Sequence, residues 1–125
     1  MHKRFEVRRL AGIPVEVISA KSDLPLDFVS FDLSPRGTFL MSDAAPRVGE
    51  QVVCSFSIDG AAKPFCFFGE VSRVNRGRRL SDFGPTGFGV RFLDPTALER
   101  LMIRACLRYQ PPAYLSLTRP VRAAP

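Results

Sequence analysis

Gln51-Val52-Val53-Cys54-Ser55-Phe56-Ser57-Ile58 decides the fold class, because Val52, Cys54, Phe56 and Ile58 recur every second residue and so share one face of a strand. Asp59-Gly60 starts a turn, and Pro64 to Val74 read as a long strand running back. Upstream, Ile13, Val15 and Val17 lie on one face of a first strand. The polar turn Lys21-Ser22-Asp23 follows, and Leu26 to Leu33 lead through Thr38-Phe39-Leu40-Met41. Downstream, Phe88, Val90 and Phe92 share a face of the last strand. Phe65, Phe67 and Phe68 fall in the most apolar strand and read as core, not as a base-stacking platform. Five or six short strands separated by turns predict a small antiparallel barrel or sandwich rather than a parallel α/β sheet.

After Phe92 the period changes. Leu98, Leu101, Met102 and Ala105 recur at helical spacing, Pro95 suits a first helical turn, and Thr96 with Glu99 reads as a capping box. One amphipathic helix is therefore expected to plug or pack against the strands. Pro111-Pro112 stops it, and a Pro-, Arg- and Ala-rich tail follows. The chain divides into a flexible segment over 1–12, a barrel with its helix over 13–110 and a tail over 111–125, with no repeat and no second domain. Its 125 residues allow one modest core, and a hydrophobic content of 46% with eleven Phe argues for a packed fold.

Eighteen Lys plus Arg against twelve Asp plus Glu give a net charge of +6, which favours anionic partners without choosing among them. Cys54, Cys66 and Cys106 have no CxxC spacing and sit among apolar residues, so buried reduced thiols are expected. His2 is the sole histidine, at the very terminus. No Ser/His/Asp or Cys/His pairing can be built and the acidic residues are scattered singly, which argues against an enzyme, a metal site or a cofactor. Gly84-Pro85-Thr86-Gly87-Phe88-Gly89 lacks the Lys-Ser/Thr ending of a P-loop and reads as a turn. No apolar run approaches membrane-spanning length and no signal peptide is visible, so a cytoplasmic location without membrane insertion is expected.

Two segments carry the chemistry. Arg4-Phe5-Glu6-Val7-Arg8 places two arginines four apart, and Asp32-Leu33-Ser34-Pro35-Arg36-Gly37 combines a carboxylate, a hydroxyl and a glycine. Arginine can read the O6/N7 edge of guanine, clamp a phosphate or stack on a base; a carboxylate accepts from the donor edge of guanine. Taken alone, Arg4 and Arg8 read as a solvated basic terminus, and Asp32 with Ser34 as a turn whose side chains satisfy nearby backbone groups. The order and spacing of the two segments, inside this strand pattern, resemble the PilZ domains, whose signature is RxxxR followed by D/N-x-S-x-x-G. The similarity runs on through Gly87-Phe88-Gly89-Val90-Arg91-Phe92 to the helix near residue 109.

The resemblance implies a mainly β fold, an antiparallel barrel of about six strands with one C-terminal α-helix, and a receptor for the second messenger cyclic di-GMP. It implies ligand contacts from Arg4, Arg8, Arg9, Asp32, Ser34 and Gly37. Lys3, Arg36 and Arg73 are candidate auxiliaries. Arg36 stands where glycine is frequent in the family, and could add a cation or crowd the ligand. Arg73, Arg76, Arg78 and Arg79 read as a basic hairpin loop. The expected mechanism is an arm around Arg4 to Arg9 that orders over a fixed wall of Asp32, Ser34 and Gly37 and signals to a protein partner in trans, with outputs such as motility, surface polysaccharide or virulence. Two alternatives stay open: a PilZ-like adaptor that binds protein only, and a basic barrel that binds nucleic acid.

Overall fold

The computed structural model describes residues 9–19, 21–22, 24–44, 46–77 and 84–107, with backbone alone for 9 and 10. Seven strands and a helix follow in chain order: β1 (Arg9–Leu10), β2 (Pro14–Ser19), β3 (Pro25–Ser34), β4 (Gly37–Met41), β5 (Gln51–Phe56), β6 (Phe65–Asn75), β7 (Gly87–Phe92) and α1 (Ala97–Leu107). All pairings are antiparallel, in the order β3-β2-β5-β6-β7-β4, and β4 pairs again with β3. Six strands thus close into a barrel, the alternative of a sandwich is ruled out, and no barrel strand is left as a bare edge.

Closure is possible because β3 is long enough to serve two neighbours. Its first half pairs with β2, its second half pairs with β4, and β1 continues along the β2 edge as far as Leu33. The run from β1 to β2 is interrupted at Gly12, whose φ of 63° lies in the left-handed region that favours glycine. The irregularity leaves the Ile13 N–H without a ladder partner. The Ser30 hydroxyl, fully buried inside the barrel, accepts it at 3.0 Å.

The inner face is apolar as the alternation predicts. Val15, Val17, Val52, Cys54, Phe56, Phe65, Phe67, Phe88, Val90 and Phe92 are all buried, with Phe67 and Phe92 stacked at 4.5 Å between centroids. Phe68 departs from expectation: β6 alternates in and out through this run, so Phe65 and Phe67 point inward while Phe68 stands outward and 71% exposed. Cys66 is outward for the same reason and exposed, whereas Cys54 is buried and Cys106 half-buried.

Helix α1 covers one end of the barrel, but with a different face from the one its sequence indicated. Ile103 and Leu107 are buried, with Met102 and Cys106 packed beside them; Leu98, Leu101 and Ala105 face solvent. Both faces carry apolar residues, so spacing alone could not orient the helix. The capping box forms as expected, the Thr96 Oγ1 accepting from the Glu99 N–H at 3.0 Å and Glu99 Oε1 from the Thr96 N–H at 2.8 Å. Pro95 consequently precedes the cap instead of lying in the first turn. Residues beyond 107, including the expected Pro111-Pro112 stop, lie outside the described residues.

Burial, reinforced by the neighbouring Cys66, pushes the Cys54 thiol from 9.0 up to about 12. Its neutral form is the one the barrel tolerates. Between pH 9 and 12 the unfolded chain loses this proton before the folded one does, so stability falls as pH rises through that window. Urea unfolding midpoints measured across it should decline more steeply for the native protein than for Cys54→Ala; parallel curves would count against the thiol as the cause.

Candidate functional site

Two breaks in strand alternation build the site, one in β3 between Ser30 and Asp32 and one in β6 between Val71 and Arg73, which turns Arg73 outward after inward-facing Val71. Strict alternation along β3 would put Phe28, Ser30, Asp32 and Ser34 on one face, the face whose Phe28 packs edge-on against Phe88 inside the barrel. Between Ser30 and Asp32 the β3–β4 register shifts, so that Ser30 opposes Leu40 but Asp32 opposes Phe39, with Phe31 the bulged residue. The phase reverses there. Ser30 and Leu33 point inward, and Asp32 and Ser34 project together onto the outer face.

Directly opposed residues in an antiparallel sheet send their side chains to the same side. Asp32 opposes Phe39, Phe39 opposes Gly89, and Gly89 opposes Arg73, which makes one outer row across β3, β4, β7 and β6. A second row runs Ser34, Gly37, Arg91, Glu70. Between the rows lies a cleft of about 280 Å³ whose lining includes Arg36, Phe39, Arg73, Gly89 and Arg91. Arg73, an exposed residue, lies with its guanidinium carbon 4.9 Å from the centre of the Phe39 ring, a cation–π contact. Gly89 lies beneath the Arg73 stem, where a Cβ would stand in van der Waals contact with Arg73 Cγ at 3.4 Å. Arg91 Nη2 donates to Glu70 Oε1 at 2.6 Å across the second row.

The signature residues also hold the hairpin that presents them. Asp32 Oδ1 accepts from the Phe39 N–H at 3.1 Å, the Asp32 carbonyl accepts from Thr38 Oγ1 at 2.8 Å, and Ser34 Oγ accepts from the Arg36 N–H at 3.1 Å. The Arg36 carbonyl accepts from the Phe92 N–H at 2.8 Å, which ties the turn to β7. Gly37 was expected to let a ligand come close; the group that comes close in the fold is the Val90 carbonyl, whose oxygen would lie 2.3 Å from a Cβ at this position.

Of the residues singled out from sequence, Arg36, Gly37 and Arg73 line the cleft, while Asp32 and Ser34, 6% and 1% exposed, are buried on the same two rows and do not line it. Arg73 lies within β6, not in the hairpin loop where its charge run had placed it, and Arg78 and Arg79 lie outside the described residues. Lys3, Arg4 and Arg8 also lie outside them. The backbone of Arg9 pairs with Leu33, which sets the start of the described chain along β3, between the positions of Asp32 and Ser34. Phe39, Gly89 and Arg91 were missed. Arg91 was legible as an outward residue between Val90 and Phe92, whereas placing Phe39 beside Asp32 requires the bulge.

The sequence profile of the PilZ domain matches residues 2–109. No curated protein matches the chain. Among solved structures, the inhibitor of motility MotI/DgrA of Bacillus subtilis superposes with a TM-score of 0.63 at 16% identity over 86% of this chain; the chain spans 51% of that protein's length. The PilZ domain of YcgR from Escherichia coli, solved with c-di-GMP, gives 0.63 at 15% identity over 87% of this chain and 92% of that one. The PilZ domain of CeSA from a cellulose-synthesizing bacterium gives 0.53 at 23% identity, covering 79% of this chain and 93% of that one.

Because the Val90 oxygen belongs to backbone that cannot swing away, Gly37→Ala should destabilise the ligand-free protein by about 1–3 kcal/mol. A thermal midpoint lowered by roughly 4–15 °C is the expected reading. An unchanged midpoint would show that β4 and β7 separate without cost.

Proposed function

The chain belongs to the PilZ domain family, and on that premise we propose that it is a cytoplasmic cyclic di-GMP receptor that acts on a protein partner in trans. The observation that carries this reading is the outer row Asp32, Phe39, Gly89, Arg73, which puts a carboxylate, buried in the ligand-free fold, and an exposed guanidinium on the same face of the sheet. Arg36 and Arg91 add positive charge at the cleft that Arg73 lines.

A guanine base can lie on the outer face of Arg73, giving a base, guanidinium and Phe39 stack. The Asp32 carboxylate suits the N1–H and N2–H donors of that base, and the guanidinium groups suit the two phosphates. Arg4 and Arg8 complete the site from the N-terminal side. Arg9 paired to Leu33 supports this role, because it tethers their segment to the edge of β3 that carries Asp32 and Ser34. Ligand that binds only the closed arrangement shifts the chain toward it, and the partner reads the altered surface. A motility output is in keeping with the structural likeness to an inhibitor of motility.

A second reading, a PilZ adaptor that binds protein alone, is favoured by one observation: Asp32 and Ser34 already serve the hairpin backbone. Isothermal titration with cyclic di-GMP separates the two. The native protein should bind saturably, Arg73→Ala should lose about tenfold through the missing stack, and Arg8→Lys should lose most of the affinity because a point charge gives neither bidentate nor stacking contacts. A flat trace from a folded sample would leave the adaptor.

A further inference from the structure

Among the described residues, the barrel end opposite α1 is not closed by its own core. Val17 and Leu26 oppose one another on the inner face of β2 and β3, and Val17 is buried, yet Leu26 is 58% exposed. From that mouth a cavity of about 300 Å³ runs down past Phe28 to Val52 and Phe88. Leu24, 71% exposed, stands two residues before Leu26, and Val48, 62% exposed, stands on the β4–β5 connection. An inward-facing leucine left wet beside an apolar hole, with further large apolar side chains about it, marks a surface that has something to gain from a partner.

Positive charge clusters on the flank of the hole that Pro46 borders. Pro46 lines both this cavity and a neighbouring depression that Arg47, Arg73 and Arg76 also line. Two carboxylates stand at the cavity itself, Glu50 on its wall, accepting a hydrogen bond from the Ser19 hydroxyl, and exposed Asp43 between the lining residues Ser42 and Ala44, so the favourable charge lies on the Arg47 and Arg76 side. A knob-sized apolar hole next to three guanidinium groups is complementary to an amphipathic helix that inserts one large apolar side chain and lays carboxylates alongside.

We propose that the open end of the barrel is a docking site for an acidic amphipathic helix of a partner protein, seated with an apolar side chain between Leu26 and Phe88 and its carboxylates on Arg47 and Arg76. The inference rests on the cavity and its rim and holds whether or not the chain binds cyclic di-GMP.

The test is fluorescence anisotropy, without nucleotide, using a labelled synthetic amphipathic helix of Leu and Glu, a matched helix of Leu and Lys, and the variants Leu26→Gln and Arg47→Glu. Both substituted positions are exposed, and a thermal scan checks that each variant folds. Saturable binding of the Glu helix, about tenfold weaker for either variant and absent for the Lys helix, is expected. No saturable binding, equal binding of the two helices, or indifference to both variants would overturn the proposal. Sedimentation with phosphatidylglycerol vesicles that Leu26→Gln abolishes would give the surface to a membrane instead, and a concentration-dependent dimer abolished by the same change would give it to a second copy; either result also overturns it.

Discussion

The arginine cleft depends on two interruptions of strand alternation, the bulge at Phe31 in β3 and the register shift between Val71 and Arg73 in β6. A strand with period two cannot carry Phe28 in the core and Asp32 outside without an irregularity between them. The extra residue reverses the phase once, after Phe28 and Ser30 have been committed inward and before Asp32 and Ser34 are reached. It also leaves buried polar groups to satisfy, and the neighbouring side chains do so locally: Ser30 takes the Ile13 N–H, Thr38 gives its hydroxyl proton to the Asp32 carbonyl, and Asp32 takes the Phe39 N–H. Among the described residues no buried side-chain nitrogen or oxygen lacks a partner.

The same geometry accounts for what could be read from the sequence. β5 and β7 were legible because one side is uniformly apolar, and the capping box was legible because its two residues interact only with each other's backbone. Phe68 was misread because a run of apolar residues hides the alternation within it. The helix was misoriented because Leu98 and Leu101 satisfy the spacing as well as Ile103 and Leu107 do, and only packing against the barrel distinguishes them. The cleft was half legible. Asp32, Ser34 and Gly37 are recognisable as a group, but Phe39, Gly89 and Arg73 join them through strand register, a long-range property that no local window contains.

The two ends of the barrel differ in kind. One is sealed by Ile103 and Leu107 of a helix that the chain supplies itself, and the other stops short at Leu26. The arginine cleft lies on the wall between them, and Arg73 borders both it and the depression next to the open end.

Gly37 bears on what a sequence signature can diagnose. Its missing Cβ is required by the Val90 carbonyl, and the Asp32 and Ser34 side chains are required by the hairpin backbone. Folding by itself is therefore enough to retain all three letters of the D-x-S-x-x-G motif, in a descendant that has ceased to bind any ligand as much as in one that binds tightly. Residues such as Arg73, which the barrel can lose without losing its shape, are the ones whose drift would record the change.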